Sequence, residues 1–217
     1  MQKSFICVSG NIGCGKTTVA NLICNIFGFR KFEESVDDNP YLKLFYENMN
    51  EWSYKLQRYF LFSRAITHEK IVMAPHSAVQ DRSIYEDIEI FAKNQSKNAL
   101  WTETEYTRYL KFCEMLMEEL KPPDLIVYLH ASVPALRERI RTRARDYEAA
   151  LTRDDDVYLV QLQELYESWI KNFRLSKKLI INTDNMNLVK NPDDITKLVE
   201  SVRAALEKNA PLSMFVE

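Results

Sequence analysis

Apolar positions along the chain follow two alternating rhythms. Some form short continuous runs, as a strand covered on both faces requires. Others recur three and four residues apart, as one face of a helix requires. Phe5-Ile6-Cys7-Val8 is the first continuous run. Val19, Leu22, Ile23 and Ile26 then follow helical spacing, and Gly28 suits the residue that ends that helix. Residues 31–34 read as a second strand, and residues 42–46 and 52–73 as helices. Ala78-Val79 is a short strand ahead of Asp81. Residues 84–93 and 105–120 are helical, and Pro122-Pro123 closes the second of these. Leu125-Ile126-Val127-Tyr128-Leu129 is the clearest strand. A helix over 134–145 carries proline in its first turn, and another spans 157–173. Leu179-Ile180-Ile181 is a last strand, and 195–206 a closing helix.

Strand and helix in alternation predict an α/β fold: a doubly wound, five-stranded parallel sheet with helices on both faces. Such sheets bind ligands in the crevice at the carboxyl ends of their strands. The 217 residues suit one domain, 1–217, and no repeat or low-complexity tract divides them.

Composition narrows the partners. The formal net charge of −2 argues against charge-driven binding to nucleic acid or a membrane surface, so any basic site must be local. No apolar run approaches the roughly 18 residues of a membrane span. The opening MQKSFICVSG runs into a strand rather than a signal peptide, so a cytoplasmic location is expected. Cys7, Cys14, Cys24 and Cys113 form no C-x-x-C pair and are expected to stay reduced.

The chain has four glycines, and three of them are Gly10, Gly13 and Gly15. With Lys16 and Thr17 they complete G-x-x-x-x-G-K-T between a strand and a helix, the pattern of a phosphate-binding loop. Glycine permits the positive φ that turns backbone N–H groups toward phosphate oxygens at a helix N-terminus. The expected nucleotide-contacting residues are Gly10, Asn11, Ile12, Gly13, Cys14, Gly15, Lys16, Thr17 and Thr18. Lys16 would reach the β- and γ-phosphates, and the Thr17 hydroxyl would ligate Mg²⁺. The other reading is a glycine turn ahead of a helix.

Many phosphate-loop proteins hold the metal with an acid at the end of a strongly apolar strand. The strand ending at Leu129 is followed by His130-Ala131-Ser132, with no acid. Asp81, followed by Arg82-Ser83, is the candidate instead. Further on, Gln57 and Arg64 are seven residues apart, on one helix face at a separation of about 10.5 Å. Phe60 and Leu61 lie between them. A buried Gln and Arg need partners, which a flat nucleobase would supply. Asp87, with Phe91 one turn on, could pair with Arg64; a solvent-facing bridge is the alternative. Arg137, Arg139, Arg141, Arg143 and Arg145 then occupy every second position. Like charges at i,i+4 repel, and an arriving polyanion would reverse that sign.

In their order and spacing these residues resemble the deoxyribonucleoside kinases. The likeness covers residues 5–169 and runs through Glu34, Tyr46, Gln57, Arg64, Asp81-Arg82-Ser83, Asp87 and Arg139-x-x-x-Arg143-x-Arg145-x-x-Glu148. FEESVDDNPYLKLFY, EWSYKLQ and QDRSIYEDIEIFAK are similar to the bacterial deoxyadenosine/deoxycytidine kinase branch. The resemblance implies γ-phosphate transfer from ATP, with Mg²⁺, to the 5′-hydroxyl of a deoxynucleoside, in a homodimer. It implies Glu34 as the base that takes the hydroxyl proton, Arg82 as its orienting partner and Asp81 as a metal ligand. Tyr46 and Glu148 would hold the 3′-hydroxyl. Gln57 would read the base, with Arg64 and Asp87 tuning it and Phe91 stacking. Arg139, Arg143 and Arg145 would form a lid, about 139–156, that closes over ATP. Ser35 and Ala144 stand where many relatives have Pro and Gly, and Ala144 is expected to favour helix over hinge. Deoxyguanosine kinase is the nearest alternative. A nucleoside monophosphate kinase is disfavoured by the acidic run Glu33-Glu34-Ser35-Val36-Asp37-Asp38, and a nucleotide-binding switch by the missing acid after Leu129.

His68, His76 and His130 stand apart, without metal or triad spacing, and read as structural. Trp101 and Trp169 read as packing residues, and so does the apolar stripe Tyr109, Phe112, Cys113, Leu116 and Leu120.

Overall fold

The first apolar run becomes strand β1, Phe5–Gly10, buried at every position in the computed structural model, which describes residues 3–32, 39–153, 155–207 and 209–216. Helix α1, Lys16–Phe27, comes next and ends on Gly28, whose φ of 70° and N–H to the Cys24 carbonyl make the left-handed cap expected of it. Strand β2 is Arg30–Phe32. Helices α2, Leu42–Glu47, and α3, Met49–Met73, lead to β3, Ala78–Asp81. After a helical segment and α6, Glu103–Glu119, come β4, Leu125–His130, and α7, Val133–Arg143. A 3₁₀ segment, Asp146–Thr152, precedes α8, Tyr158–Asn172. The chain then runs through β5, Lys177–Asn182, α9, Pro192–Leu206, and β6, Ser213–Val216.

All strand pairs are parallel, in the order β2-β3-β1-β4-β5-β6. Every position of β1 and β3 is buried, so both faces of the sheet centre are covered. The chain crosses from β1 outward to β2, returns to β3 and then passes to β4 on the far side of β1. That reversal opens a crevice at the carboxyl ends of β1 and β3. The register aligns Val8 with Asp81 and Gly10 with Leu129, which sets the glycine loop beside the acid of β3.

The sheet departs from the expected five strands: among the described residues it has six. The addition, β6, is four residues long and pairs along β5 from Lys178↔Ser213 to Ile181↔Val216. Its short, half-exposed run, with Phe215 pointing out, carries too little apolar alternation to stand out in a sequence.

Residues 84–97 depart from a uniform helix as well. α4, Ile84–Glu86, passes into a π-helical stretch, Asp87–Ala92, and then α5, Lys93–Lys97. A π turn inserts a residue into the helical repeat and rotates the next turns about the axis. Asp87 and Phe91 both belong to this stretch.

A third departure ends α7. Ala144 has φ 53° and caps the helix in the left-handed conformation, so the chain turns there as a glycine would turn it. The reason is the returning segment. Arg137 and Arg141 donate to the carbonyls of Asp156 and Thr152, and Arg143 and Arg145 converge on Glu148. These contacts offset a backbone cost of roughly 1–2 kcal/mol.

The four thiols are free. Burial pushes the Cys113 thiol up to about 12. His68 is fully buried, its Nε2 2.7 Å from the Lys121 carbonyl and its ring edge-on to Phe5. Trp101 and Trp169 are buried packing residues. In the α6 stripe Tyr109 and Cys113 are buried, while Phe112, Leu116 and Leu120 are half-buried against the core. No helix among the described residues is long and apolar enough to cross a membrane.

Candidate active site

Backbone geometry builds the phosphate end. A Cβ on Gly10 would lie 2.6 Å from the Leu129 carbonyl, and one on Gly13 2.9 Å from the Leu136 carbonyl. These two glycines therefore let the loop close against β4 and α7. Gly15 has open space around it and is needed for its φ of 96° at the start of α1. Lys16 Nζ donates to the carbonyls of Gly10 and Asn11, at 2.9 and 3.0 Å, which folds its ammonium over the loop. Asn11 is buried and anchors the loop, donating to the Leu159 carbonyl and the Gln163 amide oxygen of α8. Cys14 is buried beneath the loop, and burial raises its thiol above the usual range. Thr18 sits half-buried on α1, behind the loop.

Thr17 Oγ1 donates to Asp81 Oδ2 at 2.6 Å. A hydroxyl and a carboxylate are hard oxygen donors, the chemistry that Mg²⁺ takes. Both lie beside the lysine that would hold phosphate, so the pair fits the metal this loop implies.

Arg82 follows Asp81 with φ 70°, an unusual backbone for a buried, long side chain. Its own N–H is bound to the Val8 carbonyl. Its Nη1 donates to Tyr166 Oη at 2.7 Å, and the guanidinium lies 4.7 Å over the Phe91 ring. Phe91, expected to stack on a base, thus also packs on Arg82. Burial holds the Tyr166 phenol well above its usual range, with Arg82 pulling the other way, so it remains a donor.

The opposite end is built by α3 and the π stretch. Gln57 and Arg64, which their spacing sets on one face of α3, are both buried there rather than facing solvent. Arg64 forms a buried ion pair with Asp87, and its guanidinium lies 5.0 Å over the Phe60 ring. Among the described residues, Gln57 Oε1 is buried with no hydrogen-bond partner. An unsatisfied buried amide is costly unless something fills the space in front of it.

Between the two ends lie Tyr46 and Glu148. Burial pushes the Tyr46 phenol well above its usual range, helped by the neighbouring Tyr158 and by Glu148. Glu148 is itself buried, ion-paired to Arg143 and 3.7 Å from Arg145. Arg139 goes elsewhere. It donates to the Oγ1 and carbonyl of Thr183, beyond the end of β5.

One cavity of about 300 Å³ joins these groups. Ile12, Gly13, Lys16, Thr17, Asp81 and Arg82 line it from the phosphate loop and the end of β3, Gln57, Arg64 and Asp87 from α3 and the π stretch, Phe91 where it packs on Arg82, and Tyr46, Glu148, Arg143 and Arg145 line it too. Gly10, Asn11, Cys14, Gly15, Thr18 and Arg139 do not line it. Glu34 lies outside the described residues. Among the described residues, Leu42, Phe45, Leu56, Phe60 and Tyr158 also line it. Sequence reasoning does not single out Leu42, Phe45, Leu56 or Tyr158, because apolar and aromatic residues at helical spacing read as core. Glu86 escapes it too, although Ser83-x-x-Glu86 has the spacing of a capping box.

The arrangement can hold a triphosphate at one end and a planar, hydrogen-bonding group at the other. Deoxynucleoside kinase is the description of the family that matches, over residues 6–207. The deoxyadenosine/deoxycytidine kinase of Bacillus subtilis (strain 168) is 33% identical over 210 residues, which cover 96% of this chain and 95% of that protein. The deoxyguanosine kinase of the same organism is 32% identical, covering 92% of this chain and 96% of that protein. Among solved structures, deoxyadenosine kinase from M. mycoides with bound dATP aligns with a TM-score of 0.79 at 25% identity, covering 91% of this chain and 98% of that one.

Proposed function

The chain belongs to the deoxynucleoside kinase family, and from that membership we propose that it transfers the γ-phosphate of MgATP to the 5′-hydroxyl of deoxyadenosine or deoxycytidine. The observation that carries this reading is the single cavity. It sets Lys16, Thr17, Asp81 and Arg82 at one end and the buried amide of Gln57, with the Arg64–Asp87 pair, at the other. Phosphoryl transfer needs positioning and charge neutralisation more than covalent help, and these residues supply both.

In this reading the loop amides and Lys16 hold the β- and γ-phosphates. Thr17 and Asp81 hold Mg²⁺, which neutralises charge on the phosphate oxygens when bound. Arg82 points its guanidinium at the transferring group. Glu34 accepts the 5′-hydroxyl proton, as the resemblance implies. Tyr46 and Glu148 hold the 3′-hydroxyl, and their closeness leaves little room for a 2′-hydroxyl. Arg143 and Arg145 are the lid residues that meet ATP, within a lid of about 139–156 in a domain of 1–217. Arg139 joins them only by leaving Thr183.

The Gln57 amide offers a donor and an acceptor on one edge, and the carboxylate of Asp87 adds an acceptor. That set suits an exocyclic amine beside a ring nitrogen, as on adenine and cytosine. Deoxyguanosine is the second reading, because a deoxyguanosine kinase is nearly as similar. We place the enzyme in the cytoplasm as a homodimer. The half-exposed Phe62 on α3, in contact with Phe112 on α6, offers an apolar face for a second copy. A panel of four deoxynucleosides and their ribose counterparts, with ADP release as the readout, tests the assignment. Turnover highest with deoxyadenosine or deoxycytidine supports it; a preference for deoxyguanosine selects the second reading.

A further inference from the structure

Glu86 is completely buried, yet it sits on α4 between the phosphate loop and Arg82. Its Oε2 accepts from Ser9 Oγ at 2.7 Å, from the Ser83 N–H at 2.6 Å and from Ser83 Oγ at 2.9 Å. Its Oε1 accepts from Tyr166 Oη at 2.8 Å and from the Gly10 N–H at 3.2 Å, with Arg82 Nη1 at 3.5 Å. Among the described residues, its donors come from the end of β1, the turn after β3 and α8. Those are the elements that carry the loop and Arg82.

A capping glutamate at this spacing would ordinarily satisfy one or two N–H groups at a helix start. This one also ties down the first glycine of the loop and the phenol that holds Arg82. Arg82 needs such support. Its φ of 70° is strained, and its guanidinium is held by a Tyr166 hydroxyl that donates in turn to Glu86. We propose that Glu86, acting through Tyr166 and the Gly10 amide, is a positioning residue that fixes Arg82 relative to the phosphate loop. This deepens the kinase reading and rests on it.

The geometry also says which change is harmful. Each oxygen of Glu86 faces one backbone N–H, that of Ser83 or that of Gly10. Hydroxyls can rotate to suit an amide, but backbone donors cannot. Glutamine would place its NH₂ against one of them in either orientation. Tyr166→Phe is the milder change, since it keeps the ring and the direct 3.5 Å contact of Arg82 with Glu86 and removes only the hydroxyl that bridges them.

The test measures kcat, both KM values and Tm for the full-length wild type, Glu86→Gln and Tyr166→Phe, with MgATP and the preferred deoxynucleoside. Positioning predicts that Tyr166→Phe lowers kcat by about tenfold, since a misdirected charge in the transition state costs rate. Its KM values stay within about twofold of wild type. Glu86→Gln lowers kcat further, by about 10²-fold. Packing alone predicts a lower Tm with kcat unchanged at a temperature where the variant is folded, and that result overturns the inference. Should Glu86→Gln not fold, Tyr166→Phe decides. A wild-type chain inactive on every deoxynucleoside overturns the kinase reading as well; active wild type matched in kcat by Tyr166→Phe overturns this inference alone.

Discussion

Thr17 and Asp81, sixty-four residues apart, meet through a hydroxyl–carboxylate hydrogen bond of 2.6 Å. The parallel register of β1 and β3 creates the meeting, because it brings Asp81 level with Val8, near the end of the strand that runs into the glycine loop. A divalent cation would take the place of this hydrogen bond, with the hydroxyl and the carboxylate both serving as oxygen ligands. Asp81→Asn keeps the shape and removes the charge. It is expected to raise the Mg²⁺ concentration for half-maximal turnover by about tenfold or more, a loss of over about 1.4 kcal/mol. Turnover titrated against Mg²⁺ at saturating ATP checks this, and an unchanged midpoint assigns the metal elsewhere.

The loop glycines are expected to differ in tolerance. Gly10→Ala drives a Cβ into the Leu129 carbonyl, which backbone cannot yield. Gly15→Ala meets nothing and bears only its positive φ, a cost of roughly 1–2 kcal/mol. Gly10→Ala should therefore lower Tm by more than Gly15→Ala. Paired thermal melts without ligand check the order.

Breaking the Arg64–Asp87 pair removes a partner from a buried charge. Asp87→Ala is expected to destabilise the fold by about 3 kcal/mol and to raise KM for the deoxynucleoside more than KM for ATP. Urea unfolding and initial rates check the two halves separately.

At Ala144 the expectation inverts the usual preference for alanine. Ala144→Gly relieves a φ of 53° and should leave Tm unchanged or higher, whereas Ala144→Val should lower it. A lower Tm for the glycine variant contradicts the left-handed cap.

His68 gives a pH dependence with a definite sign. Burial lowers its pKa below the ordinary 6.5, outweighing the hydrogen bond to Lys121. The unfolded chain therefore binds the proton more readily than the folded one, and stability falls as pH drops through 6.5 toward the depressed value. Above that window the contribution is fully present. Unfolding free energy at pH 7.5 and 5.5, both chosen to bracket a histidine pKa of about 6.5, should differ more for wild type than for His68→Gln.

Much of the site is legible along the chain because its signals are local. Gly10 to Thr17 is a contiguous motif, and the seven-residue interval of Gln57 and Arg64 fixes a shared helix face. Asp87 stands out because a buried arginine needs a counter-charge. The hidden part depends on tertiary placement. Tyr158 and Phe45 look like any core aromatics until α8 and α2 bring them to one wall. Glu86 looks like a helix cap until Ser9 and Tyr166 close around it. The sign of φ at Ala144 is set by Glu148 drawing Arg143 and Arg145 back, and the residue type argues against it. Arg139 sits on the expected helix, yet Thr183 holds its guanidinium. β6 is too short to show an apolar rhythm.

The whole reading turns on one cavity that presents a metal-bound triphosphate to the primary alcohol of an uncharged deoxynucleoside. Initial rates of ADP formation from MgATP, compared across deoxyadenosine, deoxycytidine, their 5′-monophosphates and no acceptor, decide it in a single assay. The expected result is rapid, acceptor-dependent turnover with the nucleosides and none above background with the monophosphates. Faster turnover with a monophosphate, or ADP release indifferent to any acceptor, would contradict it.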